Sequence, residues 1–199
     1  MKKKNTITVI TAAVAALVLV GPVAPASATG PAPTGTIVDV AVAASGGGTP
    51  DSNPYDYDLL VQALVATGLA PVLSDTSRRF TVFAPNDRAF LRLVTEVTGT
   101  APASEAAALT TITTTLTLEQ ISGLLLYHVV PDRSLGAIEV LVSKSLTMAN
   151  GGVVKPRLTT LRDENTALRD PRLVLTGLNI RASNGVLHTI DRVLVPAAL

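Results

Sequence analysis

Apolar residues repeat at helical spacing through much of the first half of the chain and alternate, strand-like, toward its end. Leu60, Ala63, Leu64 and Thr67 stand at i, i+3, i+4 and i+7, with Asp56 or Asp58 near the start and Gly68 near the stop, which predicts a helix. Phe80 to Ala84 reads as a strand that Pro85 ends, and Asn86 is placed to cap the helix that follows. That helix presents Phe90, Leu93, Val94 and Val97 on one face. The segment Thr98 to Thr115, rich in Ala and Thr, reads as a loop with one helical turn at most. "TLEQ", Thr117 to Gln120, has capping-box spacing, and its helix runs through Ile121, Leu124 and Leu125. The β-branched pair Val129–Val130 then predicts a strand ending at Pro131.

The last third reads as antiparallel strands, with hairpin signals at Asn150-Gly151 and Asn184-Gly185. Between them Leu161 to Arg172 is a charged, solvated excursion. Gly46 to Pro54 is the clearest internal loop, and it follows a short apolar segment, Ile37 to Ala44. Helices concentrated early and strands late give an α+β fold class. No repeat of 20–50 residues is visible, which removes solenoids and propellers.

The N-terminus changes the picture of composition. Lys2, Lys3 and Lys4, the apolar stretch Ile7 to Val20 and "ASA" at Ala26 to Ala28 predict a cleaved signal peptide over residues 1–28. The apolar stretch is shorter than the roughly 20 residues of a membrane span. A Pro/Gly-rich tether over 29–36 and a single domain over 37–199 follow. The whole chain carries 16 basic and 15 acidic side chains. Without the three lysines of the leader, 13 basic face 15 acidic, a net −2. No basic run exceeds Arg78–Arg79, so nucleic acid is excluded as a partner class. There is no cysteine, so no disulfide framework supports the exported domain.

Candidate chemistry is sparse. No serine lies in G-x-S-x-G, no phosphate-cradling glycine loop is present, and no cysteine can act as a nucleophile. The two histidines, His128 and His188, are too far apart in sequence for a clustered zinc motif, so no metal and no cofactor are expected. In a strand, Val186, His188 and Ile190 share one face while Asp191 takes the other, so His188 and Asp191 do not form a catalytic pair. Both histidines read as packed, hydrogen-bonded residues. All three phenylalanines fall between Phe80 and Phe90, which marks that stretch as a core anchor. A hydrophobic content of 47%, to which the leader contributes, motivates an alternative reading as a carrier of a small apolar ligand.

"FTVFAPNDRAF", Phe80 to Phe90, and "NGVLHTIDRVLVP", Asn184 to Pro196, resemble the two hallmark segments of the fasciclin-like domain family. "LLLYHVVP" between them resembles that family's Tyr-His motif, and "DLLVQALVATGLAPVLSD" resembles its opening helix. Phe80, Phe83, Pro85, Phe90, Gly185, His188 and Asp191 carry the hallmark pattern. The resemblance implies an α+β domain, a wedge of β-strands packed with a layer of helices. It also implies a non-catalytic adhesion role, binding a surface protein or an envelope or matrix component, with weak self-association left open. Partner contact, by position, falls to Tyr127, His128, Asn179 and Ile180. Animal members often place an aspartate where this chain has Asn179, and an amide cannot supply a carboxylate to a metal-dependent integrin site. The stretches 98–115 and 161–172 are longer than the family pattern and are candidates for specificity. With its leader and lack of cysteines the chain resembles a secreted bacterial single-domain member, extracellular or associated with the cell envelope.

Overall fold

The computed structural model describes residues 33–197; the predicted signal peptide and the first part of the tether lie outside them. Helix α1, Ile37–Ala44, begins at Thr36, whose hydroxyl accepts from Asp39 N while the Asp39 carboxylate accepts from Thr36 N at 2.8 Å. Gly35 O also accepts from Ser183 N at 2.7 Å. The end of the predicted tether is therefore a fixed helix cap, bonded to the far end of the sequence.

The remaining helices are α2 (Asp58–Ala66), α3 (Ala70–Leu73), α4 (Asp87–Thr98), α5 (Glu105–Thr115), α6 (Leu118–Leu126) and α7 (Ala137–Val142). The strands are β1 (Phe80–Pro85), β2 (Val129–Pro131), β3 (Leu146–Thr147), β4 (Val153–Arg157), β5 (Thr160–Arg162), β6 (Ile180–Ala182) and β7 (Gly185–Ile190). Asn86 caps α4 through Ala89 N, and Thr117 and Gln120 form the capping box of α6.

A four-stranded sheet runs in the order β2-β1-β7-β6. Its central pair, β1 and β7, is parallel, with Phe83 opposite His188, whereas alternation alone had suggested only antiparallel pairing. All six residues of β1 are buried, so both faces of the sheet are covered. On one side Phe80, Val82 and Leu187 pack with Leu60, Leu64, Phe90, Leu93, Leu124 and Leu125 of the helices. On the other, Phe83 and Ile190 pack with Val140 of α7 and with Leu146, Val154 and Leu161 of a second sheet, ordered β3-β4-β5. The phenylalanine stretch thus anchors two cores, Phe80 and Phe90 in one and Phe83 in the other.

Four local readings need correction. Residues 105–115 form a full helix: Ser104 caps it through Ala107 N, and Ala108 and Ile112 give it a buried stripe. Its threonine hydroxyls bond carbonyls four residues back, as Thr110 does to Ala106 O at 2.9 Å, so they do not break it. Val97 is 58% exposed, one turn past the buried part of α4. Leu161, placed in a solvated excursion, is fully buried on β5. Leu158 and Thr159 make the turn between β4 and β5 with Leu158 at φ 51°, a conformation that no glycine or asparagine advertised.

The fourth correction concerns the last hairpin. Its two-residue turn is Ser183–Asn184, and Gly185 opens β7. Glycine is needed there for close approach: a Cβ would lie 2.1 Å from the Phe80 carbonyl oxygen. The Asn184 side chain accepts from Ile37 N at 2.9 Å and donates to Leu73 O at 2.8 Å, tying α1 and α3 to the sheet.

Candidate functional site

His128 follows the end of α6, where the chain turns into β2. Its Nδ1 lies 2.8 Å from Leu124 O, and Leu194 N donates to its Nε2 at 2.9 Å. The carbonyl requires Nδ1 to carry the proton and the amide requires Nε2 to be bare, so the imidazole is neutral with one tautomer. His188 on β7 is the mirror case. Its Nε2 donates to Leu135 O at 2.9 Å, and Asn179 N donates to its Nδ1 at 3.2 Å. Both rings are almost wholly buried, each clamping two backbone segments that no secondary structure joins. Neither has a carboxylate partner; Asp191 instead accepts from Arg172 N at 2.8 Å and pairs with Arg92 at 3.2 Å.

Burial pushes the His128 imidazole down to about 4, and the His188 imidazole also down. The sign follows from proton counts: an imidazole protonated near 6.5 when unfolded but only near 4 when folded binds fewer protons in the native state. Its contribution is complete above about pH 6.5 and is lost as pH falls toward about 4, on the order of 3 kcal/mol for His128. Asp163 and Asp87, raised by burial to about 6 and about 8, act with the opposite sign. We therefore expect the acid-side loss of stability to be shallower in His128→Gln than in wild type, since the carboxylates are common to both. Urea unfolding at intervals from pH 7 to 4.5 measures it, and superimposable slopes would refute the assignment.

Tyr127 is fully buried, its hydroxyl donating to Val153 O at 3.0 Å and accepting from Glu164 N at 3.1 Å. Direct partner contact through the Tyr127 or His128 side chain has no surface to act on in this conformation. Asn179 is exposed and Ile180 half-buried. Asn179 has φ 56°, which asparagine tolerates, and its Oδ1 accepts from Ala137 N at 2.8 Å, capping α7 from a distant loop. On α7, Ile138 and Val142 are 77% and 75% exposed, and Leu141 is partly so. At i, i+3 and i+4 they form one outward apolar face.

Two further features were missed by the sequence reading. An apolar cleft of about 200 Å³ lies between α4 and α5, lined by Leu93, Val94, Val97, Ile112 and Leu116. Its signal was available only once residues 105–115 were known to be helical. Five carboxylates also converge where α2, α4 and α5 begin: Asp58, Asp87 and Glu105 are the first residues of those helices, and Asp51 and Asp56 come from the preceding loop. Asp87 accepts from Asp58 N at 3.1 Å and Leu59 N at 2.8 Å, and Glu105 accepts from Asp51 N at 2.9 Å. These are the described residues whose side chains are grouped closely enough to hold a metal ion.

No curated protein matches the chain. Among solved structures it is similar to a FAS1 domain pair from the insect cell adhesion molecule Fasciclin I, with a TM-score of 0.55 and 14% identity. That match covers 82% of this chain and 51% of the other, so the chain spans about half the length of the pair. The likeness shows the α+β fold. The sequence model of the Fasciclin domain matches residues 56–196, from the acidic loop through both hallmark strands and both buried histidines. The chain belongs to the fasciclin domain family.

Proposed function

We propose that this protein is a secreted, non-catalytic adhesion module that binds a surface protein through the corner formed by α7 and Asn179. Fasciclin domains are adhesion-associated modules. The observation that carries the reading is the outward face of Ile138, Leu141 and Val142, seated on a helix whose first turn is held by Asn179. Asn179 and Ile180 are the positions to which the family resemblance assigns partner contact. A patch of this kind, rimmed by polar residues, suits a protein surface. Export is assigned to residues 1–28, which lie outside the described residues.

The reading as a carrier of an apolar ligand has less support. The cleft between α4 and α5 is smaller than the roughly 300–1,000 Å³ of small-molecule sites. A lipid-like adduct in the native mass spectrum would favour it.

The test uses protein recovered from the medium, its N-terminus read by mass spectrometry as Thr29. Binding to envelope and cell-surface protein fractions is compared between wild type and the double variant Ile138→Asp, Val142→Asp. We expect at least a roughly tenfold loss of affinity, since central apolar contacts exceed about 1 kcal/mol each, with the melting temperature unchanged. Equal binding by the variant would remove α7 from the proposal.

A further inference from the structure

We propose that Asp51, Asp56, Asp58, Asp87 and Glu105 form a binding site for a calcium ion, with Asp58 at its centre. Acidic side chains at helix N-termini are favoured by the helix dipole, and that accounts for Asp87 and Glu105, whose oxygens accept backbone N–H groups. It does not account for Asp58. That residue is fully buried, and neither of its carboxylate oxygens has a hydrogen-bond partner in the protein; Asp56 leaves one buried oxygen in the same state. An ionised carboxylate cannot rest in such a place without a counter-charge.

No side-chain cation among the described residues supplies one. The three salt bridges among the described residues join Arg78 to Asp132, Arg92 to Asp191 and Arg192 to Glu96. The Asp51 N–H, the backbone donor nearest to hand, is bonded to Glu105 instead. The cluster must take up either protons or a metal.

The donor set is all oxygen, which selects a hard cation. Oxygens of Asp51, Asp56 and Asp58 lie within 4.8 Å of one another, as do oxygens of Asp58, Asp87 and Glu105. A cage built of several protein carboxylates suits calcium, which takes about six to eight oxygens in irregular geometry, better than magnesium, which demands a near-ideal octahedron and keeps several of its waters. Asp58 belongs to both groups, so an ion held by either is liganded by Asp58 and has the carboxylates of the other group beside it. Asp51 is exposed, which leaves a path from solvent.

The experiment strips the mature protein with chelator, dialyses it, and titrates calcium chloride by calorimetry, with thermal unfolding in parallel. We expect one-site binding and a melting temperature raised by roughly 5–10 °C when calcium exceeds Kd about a hundredfold. Magnesium should give a smaller shift. Asp58→Asn should remain folded in chelator, at or above the wild-type melting temperature, and lose the calcium response. Should Asp58→Asn fail to fold, Asp51→Asn at the exposed rim serves, and its calcium affinity should fall at least roughly tenfold. The proposal is overturned by no heat and no thermal shift in wild type at millimolar calcium. It is equally overturned by a full shift in Asp58→Asn, by unchanged affinity in Asp51→Asn where that is the variant used, or by a magnesium shift equal to that of calcium. No response in wild type would mean that the carboxylates hold protons, and an equal magnesium shift that they hold a less specific ion.

Discussion

His188→Ala is expected to cost the domain about 2–4 kcal/mol, combining a cavity with two orphaned backbone groups. The imidazole fills a fully buried position and joins Leu135 O to Asn179 N. Alanine would leave that carbonyl and that amide without a partner, and the loop leading into α7 would lose its tie to β7. Chemical unfolding in urea reads the loss directly. Partner affinity should decline only as far as the folded population does. A variant that keeps its melting temperature yet loses binding or activity would show the ring to be functional in its own right, against the structural role argued above.

A larger loss, about 3–5 kcal/mol, is expected for Phe83→Ala. Phe83 is wholly enclosed on β1, across the parallel pair from His188, with ring centroids 6.0 Å apart and planes tilted by 32°. It is the only phenylalanine in the second core, where it meets the side chains of the small sheet and α7. The chain has no cysteine, so no cross-link limits the unfolded state and the whole cost appears in the folding equilibrium. At roughly 2–4 °C per kcal/mol for a domain of this size, the melting temperature should fall by about 6–20 °C. A loss below about 1 kcal/mol would mean that the side chain is not core. Because Phe83 and His188 are neighbours, the double variant should lose less or more than the sum of the two.

How much of this could be read in advance differs from element to element. Strand β1, the Asn86 cap and the capping box of α6 were legible because each rests on residues adjacent in sequence. Helix α5 was not, since threonine has poor helix propensity and its buried stripe is only Ala108 and Ile112. The turn at Leu158 carried no turn residue and was held by pairing on both sides. Gly185 was recognised as a turn glycine, but its need comes from the Phe80 carbonyl, which sequence spacing cannot reveal. The histidines were assigned to the core correctly in kind, while their opposite tautomers depend on partners far away in the chain. The acids at 51, 56 and 58 stand close in sequence, and their density before a helix was the available signal. Asp87 and Glu105 complete the group only through the meeting of three helix starts.

The parallel pairing of β1 with β7 has a kinetic meaning as well. Roughly half the chain lies between Phe80 and Gly185, and this pair forms the centre of the main sheet. Pairing across such a separation closes a long loop before any contact repays it, the slow class of folding step. A chain emerging N-terminus first, from a ribosome or across a membrane, therefore holds β1 with one edge unpaired until β7 arrives. During that interval Phe80 to Ala84, apolar and uncharged, is an open template for other strands. The architecture that gives the finished domain two cores on one strand thus makes its maturation late and all at once, and leaves the unfinished chain dependent on whatever shields that edge.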